Sequence, residues 1–496
     1  MPELEVLLYD NHYRLWCVNG LPIGVRLRLA SGLKWRLPPR CAVAVVRQEL
    51  SQLVRLALPI ILAQLSQMGM GVADTVMAGR LSAADLAGVA LGGNLFWPAM
   101  LFITGVIMSI TPSVSQLHGR GQGEQAGEVV RQALWMALVG GSALIVLLRN
   151  AEPILRGIEV DPLAIPIAGA YLKALSWGVL PMLGFFAMRY LCDSMSWTLP
   201  AMVVALSGLA LKVPLNALFI YGGFGMPGLG GAGCGYASAI VMTSQMLAMA
   251  GIVAFSRMRS AGLFARFSWP DYREIGRLFR LGAPIGASHF LEISMFSAVT
   301  LLIGRLGVDA VAAHQIAGNV AGLTFMVPLA LGMAASVRVG FNVGREDWSS
   351  ARRSGNVALG VSVGFGLAAA VAIYLCRDLV PSFYTKDPAV FALGANLMLF
   401  VVAIQIVDGA QGTAMGALRG YKDTRTPMLF AGLAYWGVGL PLAALLGFGL
   451  MGVPALGVYG FWTGTIMSLT VAAVALITRF QWLSQRPHRI RQLAGR

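Results

Sequence analysis

The chain has 496 residues, 57% of them hydrophobic and only 12% charged, with a mean hydropathy of +0.71 and a formal net charge of +15. Soluble globular proteins carry about a quarter charged residues, so this composition excludes a large soluble enzyme and points to a chain built for a bilayer. The positive balance raises a nucleic-acid reading, which the placement of the cations along the chain removes.

The first 48 residues come before any apolar run. Their segment RLRLASGLKWRLPPR (26–40) is basic, and no uninterrupted apolar core follows it before Arg47 and Glu49. It is therefore read as a cytoplasmic extension, partly a surface-lying helix, and not as a cleaved signal peptide. A true start nearer position 45 is the alternative. Apolar runs then follow near 53–77, 88–116, 128–148, 164–187, 198–221 and 232–256. After a linker at 257–277 they resume near 278–303, 312–337, 354–376, 391–415, 427–449 and 456–479, before a basic tail at 481–496. Each is long enough to cross a bilayer as a helix. Pro59, Pro112, Pro214, Pro284, Pro328 and Pro441 fall inside runs, where neighbouring helices can satisfy the freed backbone groups. The 60 glycines suit close helix packing and hinges.

The cations gather in alternate connections: 1–55, 120–131, Arg189, 257–280, 338–353, 419–425 and 479–496. The opposite set is sparse, with Arg80, 149–173, Arg305 and 377–386. That asymmetry is the positive-inside pattern and places both termini in the cytoplasm, with an even number of spans. The five cysteines (17, 41, 192, 234, 376) form no C-x-x-C pair and imply neither a disulfide framework nor a structural metal site. No Walker A, H-E-x-x-H or dinucleotide pattern occurs, and no soluble domain is available to hold ATP. Transport without cofactor, nucleotide or nucleic acid would have to run on an ion gradient.

The chain repeats itself. A shift of 225 lays RLALP (55–59) on RLGAP (280–284), Gly79-Arg80-Leu81 on Gly304-Arg305-Leu306, Gly93-Asn94 on Gly318-Asn319, and Gly119-Arg120 on Gly344-Arg345. A shift of 227 pairs Pro200 with Pro427, Pro214 with Pro441 and Gly230 with Gly457. The expected fold is therefore all-α and membrane-integral: twelve transmembrane helices in two six-helix lobes, 49–256 and 278–480. An even count gives both lobes one orientation, so a pseudo-two-fold axis runs along the membrane normal with a cavity between them.

Three acids fall inside the apolar runs: Asp74, Glu292 and Asp408. A carboxylate there costs about 3 kcal/mol on insertion scales and is a functional candidate by default. Gln64, Gln67, Gly71 and Asp74 share one face of the first helix. Gln405, Asp408 and Gln411 make a polar stripe on the tenth, and His289 sits one turn before Glu292 on the seventh. Each acid also has a structural reading: Asp74 hydrogen-bonded near an outer helix end, Glu292 satisfied by His289, Asp408 bracing Arg419. Lys212, deep in the fifth helix, either snorkels or pairs with an acid, or else tunes a carboxylate across the cavity. Pro59, Gly69 and Gly71 are hinge candidates in the first helix. His118, His289 and His314 are scattered over separate helices, which leaves little for a membrane enzyme.

QMGMGVADTVMAGRLSAADLA, GVIMSITPSVSQLHGRG, RLGAPIGASHFLEISMF, VAAHQIAGNV and VDGAQGTAMGALRGYKDTRTPM, with the doubled twelve-span layout, resemble the MATE (multidrug and toxic compound extrusion) family, NorM-type branch. The resemblance covers about residues 50–480. It implies a V-shaped pair of lobes in the bacterial inner membrane, exporting amphipathic organic cations (dyes, fluoroquinolone-like drugs, biocides) against inward H+ or Na+. It further implies Asp74 as the lobe-one acid, Glu292 and Asp408 as the lobe-two acids and a candidate Na+ position, and Asn216 as part of the helix-5 motif. Lys212 departs from that motif, where a small polar residue is expected. Monomeric function is expected, since the cavity closes within one chain. A related flippase of lipid-linked oligosaccharides is the alternative, for which fourteen spans and a cation-lined cavity would be expected.

Overall fold

In the computed structural model, residues 39–157, 164–223, 225 and 227–495 are described; the 26–40 segment lies almost wholly outside them. By contacts the chain divides into a segment up to Gln52, helical where it is described, and a compact body from Leu53 onward.

Eleven helices among the described residues are long and apolar enough to span a bilayer, and a bent pair makes a twelfth. In chain order they are α1 (Pro39–Leu81), α2 (Ala83–Gly119), α3 (Gly123–Arg149), the pair α4 (Ala164–Ser176 and Val179–Ser194, bent by 49°), α5 (Leu199–Tyr221) and α6 (Gly231–Phe255). Then come α7 (Tyr272–Ile303), α8 (Val308–Gly344), α9 (Trp348–Leu375), α10 (Pro388–Gly420), α11 (Arg425–Phe448) and α12 (Val458–Ser484), with a short α13 (Pro487–Ala494) after them. Most of the apolar runs form helices longer than the runs themselves, whereas α5 and α6 match theirs to within a residue at each end. Side chains of Ser82, Asp271, Asp347 and Asp387 accept backbone N–H bonds at the starts of α2, α7, α9 and α10. These caps satisfy donors that the first turn leaves free.

The repeat is visible in backbone detail. Gly230 (φ 60°, ψ −140°) leads into α6 and Gly457 (φ 57°, ψ −136°) leads into α12, a conformation open in practice only to glycine. Pro200 and Pro427 both sit in the opening turns of their helices. α2 and α8, equivalent in the two halves, meet end to end: a Cβ on Gly119 would strike the Phe341 carbonyl, and one on Gly344 would strike the Gln116 carbonyl. Higher up the same seam, Gly105 faces Gly286 and Gly282 faces Val106. Gln116 adds a 3.0 Å bond from Nε2 to the Gly420 carbonyl. These contacts join the halves at the end of the bundle that carries the basic connections.

Gly119→Val and Gly344→Val are each expected to force that seam apart. Spin labels at Arg120 and Arg345 should then report longer distances than in the parent protein. An unchanged distance distribution would mean the seam tolerates side chains and the closure is not glycine-dependent.

The hinge candidates lie in an uninterrupted α1 that passes through Pro59, Gly69 and Gly71 without a break. Gly71 faces open space and Gly69 lies against Leu209. Two apolar clusters pack the body: a large one through the first half and the joined end, and a second around Met295, Leu397, Phe461 and Trp462.

Candidate functional site

The expected site residues fall into two separate groups. The first surrounds Asp74. The Lys212 Nζ lies 2.8 Å from Asp74 Oδ1, and Asn216 Nδ2 donates to the same oxygen at 2.7 Å. Lys212 and Asn216 are four apart on α5, so one helix face delivers both donors. Lys212 also bonds the Ser238 hydroxyl and, at 3.3 Å, the Cys234 carbonyl, both on α6. Ser238 Oγ approaches Asp74 Oδ2 at 3.5 Å. All of this is buried: Asp74 is 8% exposed, Lys212 1% and Asn216 0%. The amino-acid sequence shows no cation within a turn of Asp74 along α1, yet the fold supplies one from α5. Asp74 is thus an ion-paired acid, and it does not line the central cavity.

The second group lines a cavity of about 600 Å3 between the halves. It begins beyond the Gly105–Gly286 contact and extends toward Thr300 and His314, away from the basic end. Glu292 (α7) and Asp408 (α10) face it together with Gln64, Gln67 and His289. Neither acid has a salt-bridge partner among the described residues, and each lies within electrostatic reach of the other. Asp408 does not brace Arg419. Arg419 Nη2 instead lies 3.1 Å from His289 Nε2 and points at the Met415 sulfur, while its Nη1 points at the Met108 sulfur. No hydrogen bond joins His289 to Glu292 among the described residues; Glu292 lies within electrostatic reach of Arg419 and within hydrogen-bonding reach of the Tyr435 hydroxyl.

Polar support comes from behind. Gln411 Nε2 donates at 2.8 Å to the hydroxyl of Tyr435, which faces Glu292 and Asp408. Tyr435 sits in a π-helical stretch of α11, Leu433–Gly439, just before Pro441. Proline lacks the N–H that an α-helix needs and crowds the preceding turn, and a wider turn absorbs both defects. Gln405 Nε2 donates to Thr324 Oγ1 at 2.8 Å, tying α10 to α8. The rest of the wall is aromatic and thioether: Trp97, Phe186, Phe296, Phe325, Met182 and Met326. Such faces attract organic cations, and methionine adapts to their shapes.

Arg189 needs a correction. Its position among the cations of the chain groups it with a cytoplasmic connection, but it lies within α4, fully buried at the cavity wall. Its Nη2 donates to Gln64 Oε1 at 3.0 Å, and its Nε is 3.5 Å from Asp193 Oδ2. Asp193 is therefore a further buried acid within the helices. The signal is present as RYLCD (189–193), an Arg–Asp pair at helical i, i+4 spacing. Tyr435 and Trp462 give no such sign. Among the described residues no cluster of three or more His, Cys, Asp or Glu gathers in metal-binding fashion, and Cys192, Cys234 and Cys376 are free.

Two like six-helix halves around an acid-bearing cavity define a polytopic membrane transporter of doubled architecture. The chain belongs to the MatE family, whose sequence description matches residues 59–218 and 284–445, one block in each half. It is similar to the multidrug resistance protein MdtK of Yersinia pseudotuberculosis, 39% identical over 441 residues, covering 88% of this chain and 96% of that protein. MdtK of Yersinia enterocolitica matches at the same identity and coverage. Among solved structures, the eukaryotic MATE transporter AtDTX14 superposes with a TM-score of 0.81 at 20% identity, covering 90% of this chain and 99% of that one. The Vibrio cholerae MATE transporter VcmN in its bent form gives 0.78 at 19% identity, with 90% and 99% covered. At these identities the two structures speak to the fold alone.

Proposed function

We propose that this protein is a secondary active exporter of amphipathic organic cations, driven by inward H+ or Na+. One observation carries the reading: Glu292 and Asp408, without salt-bridge partners among the described residues, face a cavity of about 600 Å3 walled by aromatic and methionine side chains. A carboxylate bordered by apolar walls is stable when something neutralises it. A proton, a sodium ion or a cationic drug can each do so, and the three compete. The coupling role therefore goes to Glu292 and Asp408, with Gln64, Gln67 and His289 as cavity contacts and Gln405 and Gln411 as braces.

Asp74 already has its cation in Lys212 and is proposed to position α1 against α5 and α6. Pro59, Gly69 and Gly71 remain the places where α1 would bend. The positive-inside rule makes the joined, basic end cytoplasmic in a bacterial inner membrane, so both termini are cytoplasmic and the cavity opens outward. That is the state in which ions load and drug leaves. Exchange of two entering monocations for one leaving monocation moves one net charge inward. At 100 mV this contributes ~2.3 kcal/mol, enough for roughly a fortyfold drug gradient before the ion's own gradient is added. The competing flippase reading needs free cations in the cavity for a pyrophosphate cargo. Arg189 is taken up by Asp193 and Gln64, and Arg419, which does not line the cavity, lies within electrostatic reach of Glu292; the acids lining the cavity outnumber the free cations there. The cavity closes within one chain, consistent with a monomer.

Proteoliposomes loaded with ethidium test the proposal when a pH gradient and a sodium gradient are imposed separately. Gradient-driven flux is expected under at least one of them. Folded protein that moves no ethidium under either would overturn the reading.

A further inference from the structure

A second cavity, about 1080 Å3, lies at the basic end, between the start of α7, the connection from α10 to α11, the end of α12, and α13. Seven cationic side chains from these four elements line it, against one carboxylate, Asp423. Asp423 is already engaged: Arg479 Nε lies 2.7 Å from one oxygen and Thr426 Oγ1 donates to the other at 2.9 Å. Arg277 is held by Glu274 at 2.7 Å. Arg273, Arg280, Lys422, Arg425 and Arg489 have no salt bridge among the described residues.

Lys422 distinguishes this from an ordinary basic surface. Its backbone is left-handed (φ 61°), uncommon outside glycine and held by a 2.8 Å bond from its N–H to the Arg419 carbonyl. Among the described residues the Nζ has one hydrogen-bond partner, the Ala494 carbonyl at 3.3 Å. Burial, with Arg120 and Arg277 adding repulsion, lowers the Lys422 ammonium to about 8. The topological bias that puts cations on one side explains their presence in loops. It does not explain their convergence from four elements on one concavity, or a lysine turned in among them. Trp482 stacks under Arg479 and Arg486 at 4.7 and 4.0 Å, presenting an aromatic rim.

We infer that this cavity binds a phosphate-bearing anion, in which the phosphate oxygens are shared among Lys422, Arg425, Arg489 and the arginines at the start of α7. Arginine forks and a lysine point charge are the side chains suited to phosphate. The chemistry serves either a phospholipid headgroup or a soluble phosphate compound, and basic pockets between spanning helices on this side are known headgroup sites. The inference does not depend on what the central cavity transports.

The test uses the purified full-length protein in detergent and reads its melting midpoint. One arm titrates phosphatidylglycerol against phosphatidylcholine, and the other titrates inorganic pyrophosphate against sulfate-free chloride of equal ionic strength. A saturable rise in the lipid arm alone assigns a headgroup, and a rise with pyrophosphate assigns a soluble phosphate. The triple variant Lys422→Asn, Arg425→Gln, Arg489→Gln should weaken either effect at least about tenfold, asparagine being chosen because it tolerates the left-handed backbone. Arg305→Gln, at the opposite end, should leave it intact. If the triple variant does not stay monodisperse, Arg489→Gln alone, at an exposed position, should weaken the same effect. No shift in the parent protein, or a shift that the cavity variants retain, would overturn the inference.

Discussion

Glu292→Gln and Asp408→Asn are each expected to reduce gradient-driven ethidium export to the level of empty vesicles while the protein remains folded. The amides keep the size and most hydrogen bonds of the acids but cannot exchange a charge. Neither acid has a salt-bridge partner among the described residues, and the one buried cation within electrostatic reach, Arg419 near Glu292, keeps its contacts to His289 and two methionine sulfurs when the charge is removed. The melting midpoint should therefore stay close to that of the parent protein, or rise, because a neutral amide suits the apolar cavity better than a carboxylate. Tyr435, which faces both acids and is held by Gln411, should keep its place in either variant. The comparison to make is flux against melting temperature for each single variant and for the double one. Continued export against a gradient by the double amide would remove the coupling assignment altogether.

Asp74→Asn should behave in the opposite way. It leaves Lys212, 1% exposed, charged and without its carboxylate, and breaking a buried pair from one side costs about 3–5 kcal/mol. A large fall in the melting midpoint is expected, and Lys212→Met should produce a similar fall by stranding Asp74. The double variant Asp74→Asn, Lys212→Met should recover most of the loss, because no unpaired charge remains and methionine fills the volume. Stability separates from function in that double variant. Retained, gradient-dependent export would establish Asp74 as a positioning residue. A stable double variant without export would return Asp74 to the coupling machinery and contradict the division between a paired acid and two unpaired ones.

The helices are legible in the sequence because a bilayer-spanning run needs little beyond length and apolarity, and the repeat because proline and glycine mark backbone events. Gly230 and Gly457 share one unusual conformation, so their spacing in the chain reports true structural equivalence. Placing the three acids is harder. Periodicity shows which face of its own helix a residue occupies and is silent about what another helix brings there. Lys212 is visible as an oddity on α5, but its attachment to Asp74 depends on how α1 and α5 pack. Arg189 misleads for a related reason: two charges close together read as the end of a span, whereas an Arg–Asp pair one turn apart remains inside the helix. Tyr435 owes its position to a π-turn before Pro441, and no pattern of apolar spacing announces that.

The glycine seam at the basic end has a kinetic meaning. Where Gly119 meets Phe341 and Gly344 meets Gln116, backbone lies on backbone, flanked by the Ser115 hydroxyl against Gly340 and by the His118 and Phe341 rings 5.2 Å apart. Parting such faces wets a few peptide groups, releases the Gln116–Gly420 bond and separates the His118 and Phe341 rings. The junction is smooth and shallow, so it can be strong enough to hold shut and still quick to reopen on every turnover.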